Sequence, residues 1–241
     1  MLQKSKGIIL HQVKYSDSGI IVQAYTREFG RQSILVRGLR SKKTGRHNAL
    51  FQPLSILDLV YYYKESRSVQ VLKEFTVAYS PSDIYANIKK SSVAVFLGEL
   101  LSSVLKEETH HFELFDYIEN SIRFFDNSSQ GYSNFHIAFL TGLSSYLGFE
   151  PQTRTDQENK YFDLLNGTFV PLPPPHSNYA DKYISEVLAG FFSTTFDKMS
   201  SIPLTGTLRN EVLETIIRYF NIHLPGLKRI NSLEVLKEIF T

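Results

Sequence analysis

Between positions 37 and 46, Arg37, Arg40, Lys42, Lys43 and Arg46 place five positive charges in ten residues with no acid among them. Such a run can capture phosphates by displacing their counterions. Most charge runs are simply solvated loops. Here the length, the paired glycines Gly38 and Gly45 and the position between strand-like segments weigh toward polyanion contact. Arg31, Arg67 and Lys73 extend the same basic set. The neighbouring aromatics Tyr61, Tyr62, Tyr63 and Phe75 offer flat faces on which bases could stack. Alternation along a strand would put Tyr61 and Tyr63 on one side and Tyr62 on the other.

Other chemistries find little support. Of seven histidines, only His110 and His111 cluster, flanked by Glu107, Glu108 and Glu113. Neighbours on a helix point about 100° apart, so they do not chelate as an i, i+4 pair would. His136 falls on an apolar helix face and reads as a packed side chain, while His47 sits in the basic loop. There is no cysteine, which excludes disulfides and thiolate metal sites. No Gly-x-Ser-x-Gly and no phosphate-binding Gly-x-x-x-x-Gly-Lys sequence occurs. The expectation is a protein without catalytic residues, cofactor or metal.

The elements that would carry the basic set follow from periodicity. Residues 1 to 80 hold 13 Lys and Arg against 5 Asp and Glu, a net +8, and the remainder is net −6. Strands are expected over 7–13, 20–26, 32–37, 54–63 and 68–77, each rich in β-branched or aromatic residues and bounded by turn formers. Five short strands with a positive field predict an OB-type barrel over 1–79, although an SH3-like barrel fits the same count. At Ser80-Pro81-Ser82-Asp83 the period changes to that of helices, with Ser80 as cap and Pro81 at the first helical position. Val93, Phe96, Leu97, Leu100, Leu101, Val104 and Leu105 mark an amphipathic helix. Further helices are expected at 112–125 and 133–147, the latter ending at Gly148. The fold class is therefore α+β: a barrel, then a helical domain over 80–241.

Residues 151–177 form an insert in that helical domain. Asn166-Gly167 predicts a type I′ hairpin turn, and Pro171 to Pro175 an extended stretch. The last helix is expected to start at Asn231 with Glu234 as its capping partner. No apolar run approaches the ~18 residues that a membrane span needs, and the start of the chain lacks a signal peptide's apolar stretch. The expected location is the cytoplasm.

Several segments, taken in order, resemble one family. Gly7-Ile8-Ile9-Leu10, Tyr15-Ser16-Asp17-Ser18, Tyr25 to Arg31, Val36 to Lys43 and Leu50-Phe51-Gln52-Pro53-Leu54 are similar to the opening of the RecO family of bacterial recombination mediators. Leu97 to Leu101, Glu113-Leu114-Phe115, Tyr146 to Phe149 and Leu227 to Ser232 resemble its helical part. The resemblance implies an OB-fold followed by a helical domain, binding and annealing of single- and double-stranded DNA at the nucleoid, and no nucleotide hydrolysis. It also implies partnership with RecR, at times RecF, and with the acidic tail of single-stranded-DNA-binding protein, leading to loading of RecA. Lys89, Lys90, Arg123, Arg209, Arg218, Lys228 and Arg229 are candidate cations around a groove for that tail. Many members carry a four-cysteine zinc module where this chain has Glu150 to Asp156, so the insert should be metal-free. An RNA-binding factor and a metal-dependent nucleic-acid enzyme remain as alternatives, separable by DNA-versus-RNA affinity and by a cleavage assay.

Overall fold

Apolar and polar residues alternate through the first 80 positions, and five strands result: β1 (Leu2–Ser16), β2 (Gly19–Thr26), β3 (Gly30–Arg37), β4 (Ile56–Tyr62) and β5 (Gln70–Tyr79). The computed structural model describes residues 1–16, 19–37, 49–105, 111–152, 156, 158 and 160–240. The strands close into a barrel in the order β1-β2-β3-β5-β4. The closure is a parallel pairing of Ile34 with Gln70 and Leu35 with Val71. This closed five-strand order is that of the OB fold and decides against the SH3-like alternative. Strand β1 is twice as long as its apolar core predicts, because its first half pairs with β4 and its second half with β2. Ile9, Val22, Ala24, Ile34, Val36, Leu57, Leu59 and Tyr61 fill the interior together with Phe51.

Two compact units are present, Met1–Asp126 with Ile230–Ser232, and Asn127–Arg229 with Leu233–Thr241. The first continues beyond the barrel through α1 (Ser82–Ala86), α2 (Ile88–Val104) and α3 (Phe112–Asn127). Ile8, Leu10 and Tyr25 point away from the barrel interior yet are buried. Helix α2 packs on β1, and a Cβ added to Gly98 would overlap the Leu10 carbonyl oxygen. Phe115 of α3 lies against Tyr25, ring centroids 6.0 Å apart. The helix start differs from expectation. Pro81 occupies the cap position of α1 without a side-chain bond, and Asp126, distant in sequence, accepts from the Ile84 amide instead. The effective cap of α2 is Asn87, whose side chain accepts from the amides of Lys89 and Lys90.

The second unit contains α4 (Phe135–Tyr146), the strands β6 (Tyr161–Asp163), β7 (Thr168–Val170) and β8 (Tyr179–Ala180), then α5 (Lys182–Phe192) and α6 (Gly206–His223). Most of the last helix, α7 (Ser232–Ile239), also belongs to it. The insert is a three-stranded sheet in the order β7-β6-β8; the short β8 was not legible in the sequence. Its turn is not type I′. Asp163 pairs with Thr168, leaving four residues between the strands, and only Gly167 has positive φ there. Asp163 explains this. Its carboxylate accepts from the Leu165 and Asn166 amides and from the Asn166 side chain, which organises a longer loop.

Candidate nucleic-acid interface

The barrel positions the basic set through β3. Residues 31, 33, 35 and 37 alternate with the core residues Ile34 and Val36, so they face outward. Arg31 and Arg37 are six strand steps apart, about 20 Å at ~3.3 Å per residue. Arg37 is exposed at one end of this track. The run 38–48, with Arg40, Lys42, Lys43 and Arg46, follows directly in the chain and lies outside the described residues. Lys73 is exposed on β5. It is the extra residue of a bulge, since Val60 pairs with Glu74 and Tyr61 with Leu72; bulges re-aim side chains in this way.

At the other end of β3 a groove of about 540 Å³ opens between the β2–β3 turn and the β4–β5 loop. Arg31 and Arg67 both line it, so two of the expected contacts are brought together. Phe29 and Tyr63 stack beside it, ring centroids 5.8 Å apart and 27° between planes. Arg31 donates to the Ser102 carbonyl of α2. Glu28, also lining the groove, accepts a hydrogen bond from Ser5. The β4–β5 loop is held by a buried side chain. Gln70, 3% exposed, accepts from the Lys64 amide at 2.8 Å and donates to the carbonyls of Lys64 and Arg67 at 3.2 and 2.8 Å.

Not every cation of the barrel is available to a ligand. Lys6 pairs with Glu119 and Arg27 with Asp116, each at 3.1 Å, so acids of α3 neutralise part of the field. Of the aromatic candidates, Tyr61 is in the barrel core and Phe75 packs against it, its ring 4.9 Å from Phe51. Tyr62 is 51% exposed. Phe29 and Gln70 were not singled out from the sequence. A lone Phe in a turn and a Gln at a strand start carry no signal until pairing brings them together.

The cations expected to rim a partner groove fall into two groups. Lys89, Lys90 and Arg123 are in the first unit and Arg209, Arg218, Lys228 and Arg229 in the second. Lys90 is not on a surface at all. It is fully buried, its ammonium donating to the Phe125 and Asp126 carbonyls and pairing with Asp83 at 2.5 Å. It therefore caps the C-terminal end of α3, where a cation complements the helix dipole. Arg209 is half-buried and donates to Asn134 and to the Leu204 and Phe240 carbonyls. Arg123 pairs with Glu119 and lies over the Tyr79 ring. Arg218 borders a cleft of about 410 Å³ whose lining includes Asp181, Glu211 and Glu214, acids that oppose an acidic peptide. Lys89, Lys228 and Arg229 are exposed.

Among the described histidines, His136 is buried and His11 is exposed; His47 lies outside the described residues. His111 accepts from the Leu114 amide at the start of α3; His110 lies outside the described residues. Among the described residues no cluster of three or more His, Cys, Asp or Glu could hold a metal. None of the described helices is long and apolar enough to cross a membrane.

Comparison with known proteins covers the whole chain. Residues 1–81 match the family profile described as Recombination protein O N terminal, and residues 85–234 match Recombination protein O C terminal. The chain is 36% identical over 241 residues to a DNA repair protein RecO of Phocaeicola vulgatus, covering all of both. It is similar, at 37% over 242 residues, to the protein of that name in Bacteroides fragilis, and at 34% over 240 residues to that in Azobacteroides pseudotrichonymphae, again over the full length of each.

Proposed function

We propose, from the premise that this chain belongs to the RecO family of DNA repair proteins, that it is a recombination mediator that binds and anneals DNA without catalysing any reaction of its own. With RecR, and at times RecF, it would help load RecA onto single strands coated by single-stranded-DNA-binding protein. Its substrate would place it at the nucleoid in the cytoplasm. The observation that carries the DNA-binding part is the coincidence of a closed OB-type barrel with a net charge of +8 in the first 80 residues. OB barrels hold single strands through basic grooves and aromatic platforms. The net −6 of the remaining chain supports a protein-contact role for it. The tail of single-stranded-DNA-binding protein, acidic and ending in an apolar residue, would need an apolar groove with a cationic edge. Lys228 and Arg229 are the exposed candidates for that edge in the second unit; Lys89, also exposed, belongs to the first.

The direct test is annealing of complementary strands precoated with the cognate single-stranded-DNA-binding protein, with and without this protein. Acceleration is expected, and its absence would remove the mediator role. For the barrel, replacing Arg40, Lys42 and Lys43 together with Ala should flatten the dependence of log K on log salt. On single strands the slope should drop by about 0.7 for every phosphate that is no longer neutralised. An unchanged slope and affinity would remove the basic loop from the interface. Matched single-stranded RNA provides the control: tighter binding to RNA would favour an RNA-binding factor.

A further inference from the structure

The groove at the Arg31 end of β3 differs in character from the basic loop. Its lining pairs two arginines, Arg31 and Arg67, with two glutamates, Glu28 and Glu65. Formal charge there cancels, so the groove is poorly matched to a phosphate, whose capture needs a surplus of cations. It is well matched to something flat, uncharged and rich in hydrogen-bonding edges. The stacked rings of Phe29 and Tyr63 border it, and Ser33, Ser66 and Ser68 are among its lining residues. Its volume of about 540 Å³ lies within the ~300–1,000 Å³ of clefts that hold small ligands. Apart from Phe29 and Tyr63 its lining is polar, which suits the hydrogen-bonding edges of a base more than a wholly apolar ligand.

A second feature shows that the groove is built rather than incidental. One of its walls is a surface loop, the kind of segment that ordinarily moves. Here the buried Gln70 ties that loop at both ends of its turn, through three hydrogen bonds to the backbone of Lys64 and Arg67. The Arg67 amide also closes on the Lys64 carbonyl at 3.0 Å. A pre-ordered wall has less conformational freedom to lose when a ligand arrives.

We propose that this groove seats one unstacked nucleobase of a DNA single strand, with Gln70 holding the seat ready. The inference rests on the DNA-binding role proposed above and adds a specificity to it. Bases in a duplex are paired and stacked and cannot enter, so the seat favours single strands. Phosphate contacts elsewhere on the barrel serve both forms of DNA.

The test uses the full-length protein, a single strand carrying one 2-aminopurine, and a duplex of the same sequence. Ser33→Phe fills the groove from the outward face of β3 and leaves every charge and the Gln70 ties in place. Gln70→Leu releases the loop. Both variants should bind the single strand about tenfold more weakly, about 1.4 kcal/mol, and should no longer change the 2-aminopurine fluorescence. Their salt slopes and duplex affinities should stay at wild-type values. If Gln70→Leu does not fold, Ser33→Phe decides alone. Wild-type single-strand binding by Ser33→Phe, with the basic-loop triple variant still lowering the slope, would overturn the seat and leave the DNA-binding role standing. Equal weakening on duplex and single strand would make the groove a backbone contact and overturn the seat as well. If the triple variant and both groove variants bind like wild type, the barrel's DNA-binding role itself fails.

Discussion

Burial decides what a titratable side chain can do, and His136 is the clearest case. It is 1% exposed on α4, its ring 5.3 Å from that of Phe240. Burial, and secondarily the charge of Arg209, depresses its pKa from 6.5 to about 3. Above about pH 6.5 the imidazole is neutral in both folded and unfolded chains, so its packing is retained in full. Between about 6.5 and about 3 only the unfolded chain takes up the proton. Stability should therefore fall with pH across that window, by up to about 1.4 kcal/mol per unit. Urea unfolding at pH 7 and pH 5 should show the fall, and His136→Leu should reduce it. A wild-type midpoint that does not move between these pH values would contradict the burial assignment. Lys90 makes the same point for cations: an ammonium buried against two carbonyls is a structural cap, whatever its position in sequence implies.

For elements, close approach overrides intrinsic propensity. Gly98 lies in the middle of α2, where alanine would normally be better by roughly 1 kcal/mol. In this helix the added methyl would overlap the Leu10 carbonyl oxygen and sit 3.1 Å from Pro53 Cβ. Gly98→Ala should thus destabilise the protein by roughly 1–3 kcal/mol, read as a lower midpoint in urea. A rise in midpoint would show that α2 does not seat on β1 as described. Glu99, next along, accepts from the backbone and side chains of Asn231 and Ser232. Burial pushes its carboxyl up, but these hydrogen bonds outweigh it and hold the carboxyl below the usual range. Asn231 is thereby engaged away from its expected partner Glu234. The insert makes a separate prediction. Its donor set lacks cysteine, and Phe162, Leu164 and Phe169 are buried, Phe162 meeting the rings of Phe192 and Tyr219. It should keep its stability in a strong chelator and carry no stoichiometric zinc by elemental analysis. A large fall in Tm with chelator would show a metal site.

On the scale of the whole molecule, the barrel and its three helices share apolar surface. Ile8, Leu10 and Tyr25 are buried although they face away from the barrel interior. A fragment ending at residue 79 would expose them, whereas one ending at residue 127 retains α1 to α3. The longer fragment should unfold cooperatively in urea. The shorter one should bind a hydrophobic dye and aggregate. A sharp, reversible transition for the shorter fragment would show that the helices add nothing to the barrel. The same helices shape the field around the barrel, because Glu119 and Asp116 of α3 draw Lys6 and Arg27 into ion pairs.

Local chemistry by itself determines a great deal of this protein. Alternation of apolar residues marks strands because a pleated chain turns successive side chains to opposite faces, and all five barrel strands lie where it places them. Net charge is a sum over composition, so the division into a basic first third and an acidic remainder needs no structure. The burial of Val93, Phe96, Leu97, Leu100 and Leu101 follows from helical spacing. What the sequence left open depends on residues far apart in the chain. Strand order distinguishes an OB barrel from an SH3-like one through the meeting of Ile34 with Gln70, across a gap that no local pattern spans. Asp126 took over the cap expected of Ser80, and Asp163 replaced a two-residue turn with a four-residue loop. Lys90 went inside, and Phe29, Tyr63 and Gln70 came together around one groove. Sequence encodes each residue's preferences, but a contact between distant residues exists only once the chain has closed on itself, and there tertiary packing chooses among partners that local preference leaves equal.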